Sequence, residues 1–170
     1  MMRIRSGGQT GVDRAALDCA LELGVEYEGW CPAGGWAEDY PDPPGLLASY
    51  PRLKEAPSRD PAQRTEWNVR DSAVTLILTA GEPAGRSPGT AFTARVAERL
   101  GKPLVRVSLV GESDPRGVAD ALAPLLADPG SLNVAGPCES GSPGIYALAR
   151  EFLCALVSEL ALLTDVTRGC

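Results

Sequence analysis

A chain of 170 residues, 44% hydrophobic and 22% charged, has the size and make-up of one ordinary globular domain whose core needs no staples. Its net charge of −6 and the lack of a long basic run disfavour a broad surface for nucleic acid or anionic membrane, while a local basic pocket stays open. It contains no histidine, which excludes Ser-His-Asp and Cys-His catalysis, histidine metal ligation and histidine pH switching.

The first residues lack the apolar stretch of a signal peptide, and no apolar run reaches membrane-spanning length. Cys19, Cys31, Cys138, Cys154 and Cys170 form no CxxC pair. An odd number of scattered cysteines reads as reduced thiols in a cytoplasmic protein, not as a disulfide framework or a zinc site.

Arg3 to Ser6 reads as a short strand, followed by the glycine-rich loop 7–11. Val12, Ala16, Leu17, Ala20 and Leu23 recur at helical spacing, with Gly24 as the stop. Thr10 and Asp13 stand at capping-box spacing. Val25 to Gly29 reads as a second strand. Residues 30–63 carry seven prolines and read as a long irregular connection. Its aromatic residues Trp30, Trp36, Tyr40 and Tyr50 suggest that it packs onto something.

A short helix is expected over Thr65–Asp71 and the strongest strand over Val74–Leu78, apolar nearly throughout as a central parallel strand should be. Loop 81–89 leads to a helix marked by Phe92, Val96, Ala97 and Leu100, with Thr90 as its N-cap. Leu104–Leu109 reads as a strand. Pro115–Ala127 reads as a helix that Pro124 kinks or ends. Pro129-Gly130 turns the chain into the strand Leu132–Ala135. Loop 136–144 precedes a last helix starting near Ser142-Pro143, with proline in its first position.

This alternation predicts an α/β fold: a doubly wound, mainly parallel sheet of about five strands with helices on both faces. One domain is expected over 1–163, with a loose tail over 164–170.

In such a sheet every strand-to-helix junction lies at the carboxyl edge, so loops 7–11, 81–89 and 136–144 converge where open α/β sheets bind ligands. Helix N-terminal amides there favour phosphate or carboxylate, and glycine lets the backbone approach it. The candidate cradle is Gly7, Gly8, Gln9, Thr10, Gly11, Gly89, Thr90 and Gly136, with Glu139 in the third loop. Each loop alone can equally be a tight turn, and neither GxGxxG nor a P-loop is present.

Asp13 and Arg14 follow the first loop, Asp13 as a capping residue or a base. Arg64, Asn68 and Arg70 suit an anionic, aromatic ligand, while a solvated helix with a Glu66–Arg70 pair is the plain alternative. Glu38, Asp39 and Asp42 can hold Mg²⁺ or simply belong to a solvated loop; no protein metal site is assigned. Cys138 lies near the site as a bystander, and Cys19 and Cys154 fall on helix patterns as core residues.

The opening block Ser6-Gly7-Gly8-Gln9-Thr10-Gly11-Val12-Asp13-Arg14-Ala15-Ala16-Leu17-Asp18 resembles the first motif of the bacterial molybdenum cofactor carrier family. That family is a circularly permuted, YpsA-type branch of the Rossmann-like SLOG superfamily, which includes the LOG proteins and the DNA-processing protein DprA. The resemblance continues through Gly29-Trp30-Cys31-Pro32, the block Gln63–Ser72, Gly89-Thr90-Ala91, Gly101-Lys102-Pro103, Leu132–Pro137 and Pro143–Tyr146.

The resemblance implies a Rossmann-like fold that binds a phosphate-bearing nucleotide or a pterin, including molybdenum cofactor. It leaves room for a homo-oligomer. A carrier of that cofactor needs a phosphate cradle and a shaped cleft, because the pterin dithiolene holds the metal. LOG-type phosphoribohydrolases use PGGxGTxxE, and here Thr93 stands in place of that motif's glutamate. An N-glycosidic hydrolase would then have to use Glu66 or Asp13. Pro88 stands where the family has glycine and removes one backbone N–H from the cradle. The first block also resembles the SGxARGID motif of DprA, but the acidic charge argues against nucleic acid as partner and for a small phosphorylated ligand. A module whose nucleotide occupancy signals to a partner is the third reading.

Overall fold

The computed structural model describes residues 2–81, 87–111, 113–126 and 130–168, with the backbone alone over 164–168. Strand β1 (Arg3–Arg5) leads into helix α1 (Val12–Glu22) and strand β2 (Tyr27–Glu28). Strands β3 (Trp30–Cys31) and β4 (Lys54–Glu55) follow, then α2 (Pro61–Arg70), β5 (Val74–Thr79), α3 (Pro88–Arg99) and β6 (Leu104–Ser108). The chain ends with α4 (Pro115–Leu122), β7 (Ser131–Ala135) and α5 (Ile145–Arg168).

Five strands form one parallel sheet in the order β2-β1-β7-β5-β6. This is the expected doubly wound α/β architecture. The middle strand β7 and its neighbour β5 are buried along almost their whole length, which is why Val74–Leu78 shows no alternation in sequence. Helices α1, α4 and α5 pack together as one layer and α2 packs with α3 as the other. Val74, Leu76 and Leu78 of β5 join the main core with Leu17, Phe152 and Leu156; Val69, Val96 and Ala97 form a smaller cluster under α2 and α3. Asn133 of β7 donates to Thr75 of β5, so the buried polar pair between the central strands is satisfied.

Several elements differ from the sequence pattern, each for a local reason. The connection 30–63 is an ordered strap. Two-residue strands β3 and β4 pair in parallel at its base, and turns of 3₁₀ helix at Ala33–Gly35 and Gly45–Ala48 lie between them. Leu46, Tyr50 and Leu53 bury themselves in the main core. Strands this short leave no periodic signal. Helix α2 starts at Pro61, four residues before the expected Thr65, because Asp60 accepts the Ala62 N–H and Pro61 takes the first position. Helix α3 is capped by Ser87, whose hydroxyl accepts the Thr90 N–H, so Thr90 is a first-turn residue and not the cap. Pro124 ends α4 as expected, in a 3₁₀ turn over Ala123–Leu125.

Helix α5 begins at Ile145 instead of Ser142-Pro143, after Gly144 at φ 88°, and reaches Arg168 across most of the stretch expected to be a tail. Pro129, Cys170 and residues 82–86 of the second glycine loop lie outside the described residues. Cys19 and Cys31 are buried; burial pushes the Cys31 thiol up to about 11. Cys154, expected in the core, is only half-buried, 3.8 Å from a Glu22 carboxylate oxygen. No helix among the described residues is long and apolar enough to cross a membrane.

Candidate functional site

The β1–α1 loop spends its polar groups inside the protein. Ser6 Oγ accepts the Gly8 N–H and donates to the Asp13 carbonyl. The Gln9 side-chain oxygen accepts the Thr10 and Glu38 N–H groups, both at 3.0 Å. Gly8, at φ 74°, is closed in by Leu17, Leu46 and Leu53. Gly11 lies against the Pro137 carbonyl, which accepts the Val12 N–H, the first amide of α1. The Thr10–Asp13 capping box does not form, since Gly11 caps α1 without a side-chain bond. Thr10 instead donates to Glu38 and accepts from the Glu139 N–H.

The β7–α5 loop is likewise self-satisfied. Ser140 gives its N–H and hydroxyl to Glu38, and the Glu139 carboxylate accepts the Gly144 and Tyr146 N–H groups at the start of α5. Arg14 grips Asp39 with two bonds of 2.8 and 2.9 Å, which holds that carboxyl below its usual range. The strap's carboxylates therefore sit where a ligand anion was expected. Glu38 and Asp39 are each engaged by donors, and no group of three His, Cys, Asp or Glu side chains suited to a metal occurs among the described residues.

A cleft of about 300 Å³ opens beside these loops, at the carboxyl edge of the sheet. Asp13 of α1, the start of α2 from Asp60 to Thr65, Gly89, Phe92 and Thr93 of α3, and Ala135-Gly136 at the end of β7 line it. Two helix N-termini thus face one cavity whose walls mix an aromatic ring, an ion pair and hydroxyls, the usual make-up of a small-molecule site.

Arg64 is its central cation. The side chain, 14% exposed, lies across Gly7 so closely that a Cβ there would overlap the guanidinium. Its Nη1 donates to Asp13 Oδ2 at 3.0 Å, and its Nε is buried with no partner among the described residues. Asp13 is 4% exposed, and burial pushes its carboxyl above the ordinary range against the pull of Arg64. At α3, Pro88 has no N–H and Ser87 takes that of Thr90, while a Cβ at Gly89 would meet none of the described residues within 4 Å. Thr90 Oγ1 is buried without a partner among the described residues, and the Thr93 hydroxyl donates to the Gly89 carbonyl.

Of the residues singled out in the sequence, Asp13, Arg64, Gly89 and Gly136 line the cleft. Gly7 lies beneath Arg64, and Thr90 sits in the first turn of α3. Gly8, Gln9, Thr10, Gly11, Arg14 and Glu139 build the packed junction of the first and third loops. Asn68 faces the strap: its side chain exchanges two hydrogen bonds with the Trp30 backbone, at 2.8 and 2.9 Å. Asn68→Ala strands both Trp30 groups and lowers stability by about 2 kcal/mol, read as a reduced urea midpoint. Arg70 points outward to Asp71 and the Trp67 ring, and Glu66 pairs with Arg99 away from the cleft. Sequence reasoning missed Asp60 and Phe92; the Asp-Pro step that starts α2 was the available signal for the first.

A family model described as the circularly permutated YpsA SLOG family matches residues 4–157. No curated protein matches the chain. Among solved structures, the crystal structure of a "Putative molybdenum carrier protein" from Syntrophus aciditrophicus SB is similar, at 35% identity over 91% of this chain and 94% of that one, with a TM-score of 0.78. Fold, opening motif and family match agree, and the chain belongs to the circularly permutated YpsA SLOG family.

Proposed function

We propose that this protein is a cytosolic binding protein for a small phosphorylated ligand, a nucleotide or a pterin such as molybdenum cofactor, held in the cleft between α1, α2 and α3. The observation that carries this reading is Arg64, a mostly buried guanidinium lining a cavity at the carboxyl edge of a doubly wound sheet. The first turn of α3 would add the Gly89 N–H to a phosphate, and Phe92 would lie against a ring. The name of the similar protein from Syntrophus aciditrophicus supports a molybdenum-related cargo. The cargo would bring its own metal ligands, so the protein would supply only the cradle.

Asp13 favours a second reading. A buried carboxyl, raised by burial and facing a cleft, is the kind of group that serves as an acid or base, which would suit hydrolysis of a nucleotide's N-glycosidic bond. Thr93, whose hydroxyl is tied to Gly89, offers no carboxylate to that chemistry.

Protein purified under native conditions, then denatured, should release a stoichiometric pterin or nucleotide identifiable by mass spectrometry. Free-base release from nucleoside monophosphates would move the weight to the hydrolase. Empty protein that no phosphorylated metabolite stabilises against heat would refute the binding function.

A further inference from the structure

Three described side chains carry charge at the cleft: Asp13, Arg64 and Asp60. Asp60 is exposed at the rim, where one of its oxygens caps α2. The groups facing Asp13 can be named element by element. Arg64 reaches it from α2, Arg14 acts on it from its own helix, and the Gln9 N–H donates to it from the β1–α1 loop. The cleft-lining residues of α3 and β7, namely Gly89, Phe92, Thr93, Ala135 and Gly136, bring no charge. Arg64 is therefore already neutralised before any ligand arrives, and by a carboxylate that cannot turn to solvent.

An anion that reaches Arg64 must settle beside that carboxylate. Like charges sharing a poorly solvated site push one another's ionisation apart, so the second negative charge is admitted when one of the group takes a proton.

We propose that Asp13 determines the charge of the ligand that this cleft accepts: the neutral Asp13–Arg64 pair takes a singly charged phosphate, and a doubly charged one enters together with a proton that binds the Asp13 carboxylate. This rests on the reading of the cleft as a phosphate-ligand site. It names the preferred class as a monoanionic phosphate carried on a ring, with di- and triphosphates disfavoured at neutral pH. The upward push that burial already exerts on Asp13 brings its protonation within reach.

The test uses two probes whose charges stay constant between about pH 5 and 8: a nucleoside cyclic monophosphate with one charge, and a dinucleoside pyrophosphate with two. Titration calorimetry in buffers of different ionisation enthalpy reads both affinity and proton uptake. The pyrophosphate should bind about tenfold more tightly near pH 5.5 than near pH 8, with net proton uptake in the upper range, and the cyclic monophosphate should change far less. Asp13→Asn should remove the difference and raise pyrophosphate affinity near pH 8 about tenfold. The ¹³C carboxyl resonance of Asp13 in the wild-type protein gives the same reading without a variant, by moving to its protonated position when the pyrophosphate binds.

Pyrophosphate binding that is independent of pH and takes up no proton would overturn the role of Asp13 and leave the site standing. Failure of both probes to bind at any pH, with wild type and variant alike, would overturn the site reading and this one with it.

Discussion

Replacing Arg64 with alanine abolishes ligand binding and lowers stability by about 3 kcal/mol at neutral pH, much of which returns in mild acid. The loss of binding follows from removing the only described cation that lines the cleft. The loss of stability follows from what stays behind. Asp13 keeps the Gln9 N–H and the weaker pull of Arg14 but loses the guanidinium 3.0 Å away, and a carboxylate with almost no solvent access is left without its ion-pair partner. The pH dependence has a fixed sign. Without Arg64 the folded-state pKa of Asp13 rises further above its unfolded value of about 3.9. The penalty is fully present above the folded pKa and fades as pH falls toward the unfolded one. Urea denaturation near pH 7 and near pH 4.5 should show a large midpoint deficit at the first and a small one at the second. The double variant with Asp13→Asn should lose much less than the sum of the two single changes, because it leaves no buried charge unpaired. A deficit that is equal at both pH values would mean that Arg64 acts through packing alone.

Gly11→Ala should cost the fold several kcal/mol, while Gly24→Ala should cost only about 1 kcal/mol. Both glycines have positive φ, 75° and 65°. A Cβ at Gly24 meets none of the described residues within 4 Å, so only the left-handed backbone is penalised. At Gly11 it would sit 2.4 Å from the Pro137 carbonyl oxygen, in a backbone conformation (φ 75°, ψ −129°) that only glycine adopts readily. That carbonyl also accepts the Val12 N–H at 3.2 Å, so relieving the clash breaks the joint between the first and third loops. Thermal unfolding of the two variants side by side sets the mild left-handed backbone cost at Gly24 against the combined cost of backbone and close approach at Gly11. Equal losses would show that the joint yields without cost.

These two glycines also show how much of the site could be read from sequence. Glycine marks a place where something comes close to the backbone, and the sequence does not say what. At Gly7 it is the Arg64 guanidinium, at Gly8 three leucines and at Gly11 a carbonyl, so loop 7–11 looked like a phosphate cradle while its contacts are internal. At Gly89 no described residue comes within 4 Å of where a Cβ would stand, so there the ligand reading keeps its room. The sheet was legible because its cause is local: unbroken apolar runs such as Val74–Leu78 need burial on both faces, and Pro124 cannot continue a helix. Partners joined across the chain were not legible. Thr10 meets Glu38 and Glu139 instead of capping α1, and Asn68 locks Trp30, 38 residues away. The block from Gln63 to Ser72 reads as one motif, yet Arg64, Asn68 and Arg70 face the cleft, the strap and solvent in turn. The 3.6-residue period turns Arg70, six places on from Arg64 and two from Asn68, to the opposite side, while Arg64 and Asn68, four places apart, share a face and meet different partners one turn apart along it.

The central claim is that the ligand sits at the first turns of α2 and α3 and touches Arg64, rather than in the first glycine loop. A ¹⁵N-edited NMR titration of the full chain with the molecule released from native protein tests it most directly. The account predicts that the amides of Ala62, Gly89, Thr93 and Gly136 and the Arg64 Nε–H shift together and saturate at one equivalent. Shifts concentrated on Gln9, Thr10 and Ser140, with Gly89 and Arg64 unmoved, would contradict it and would mean that Glu38 gives up its place to the ligand.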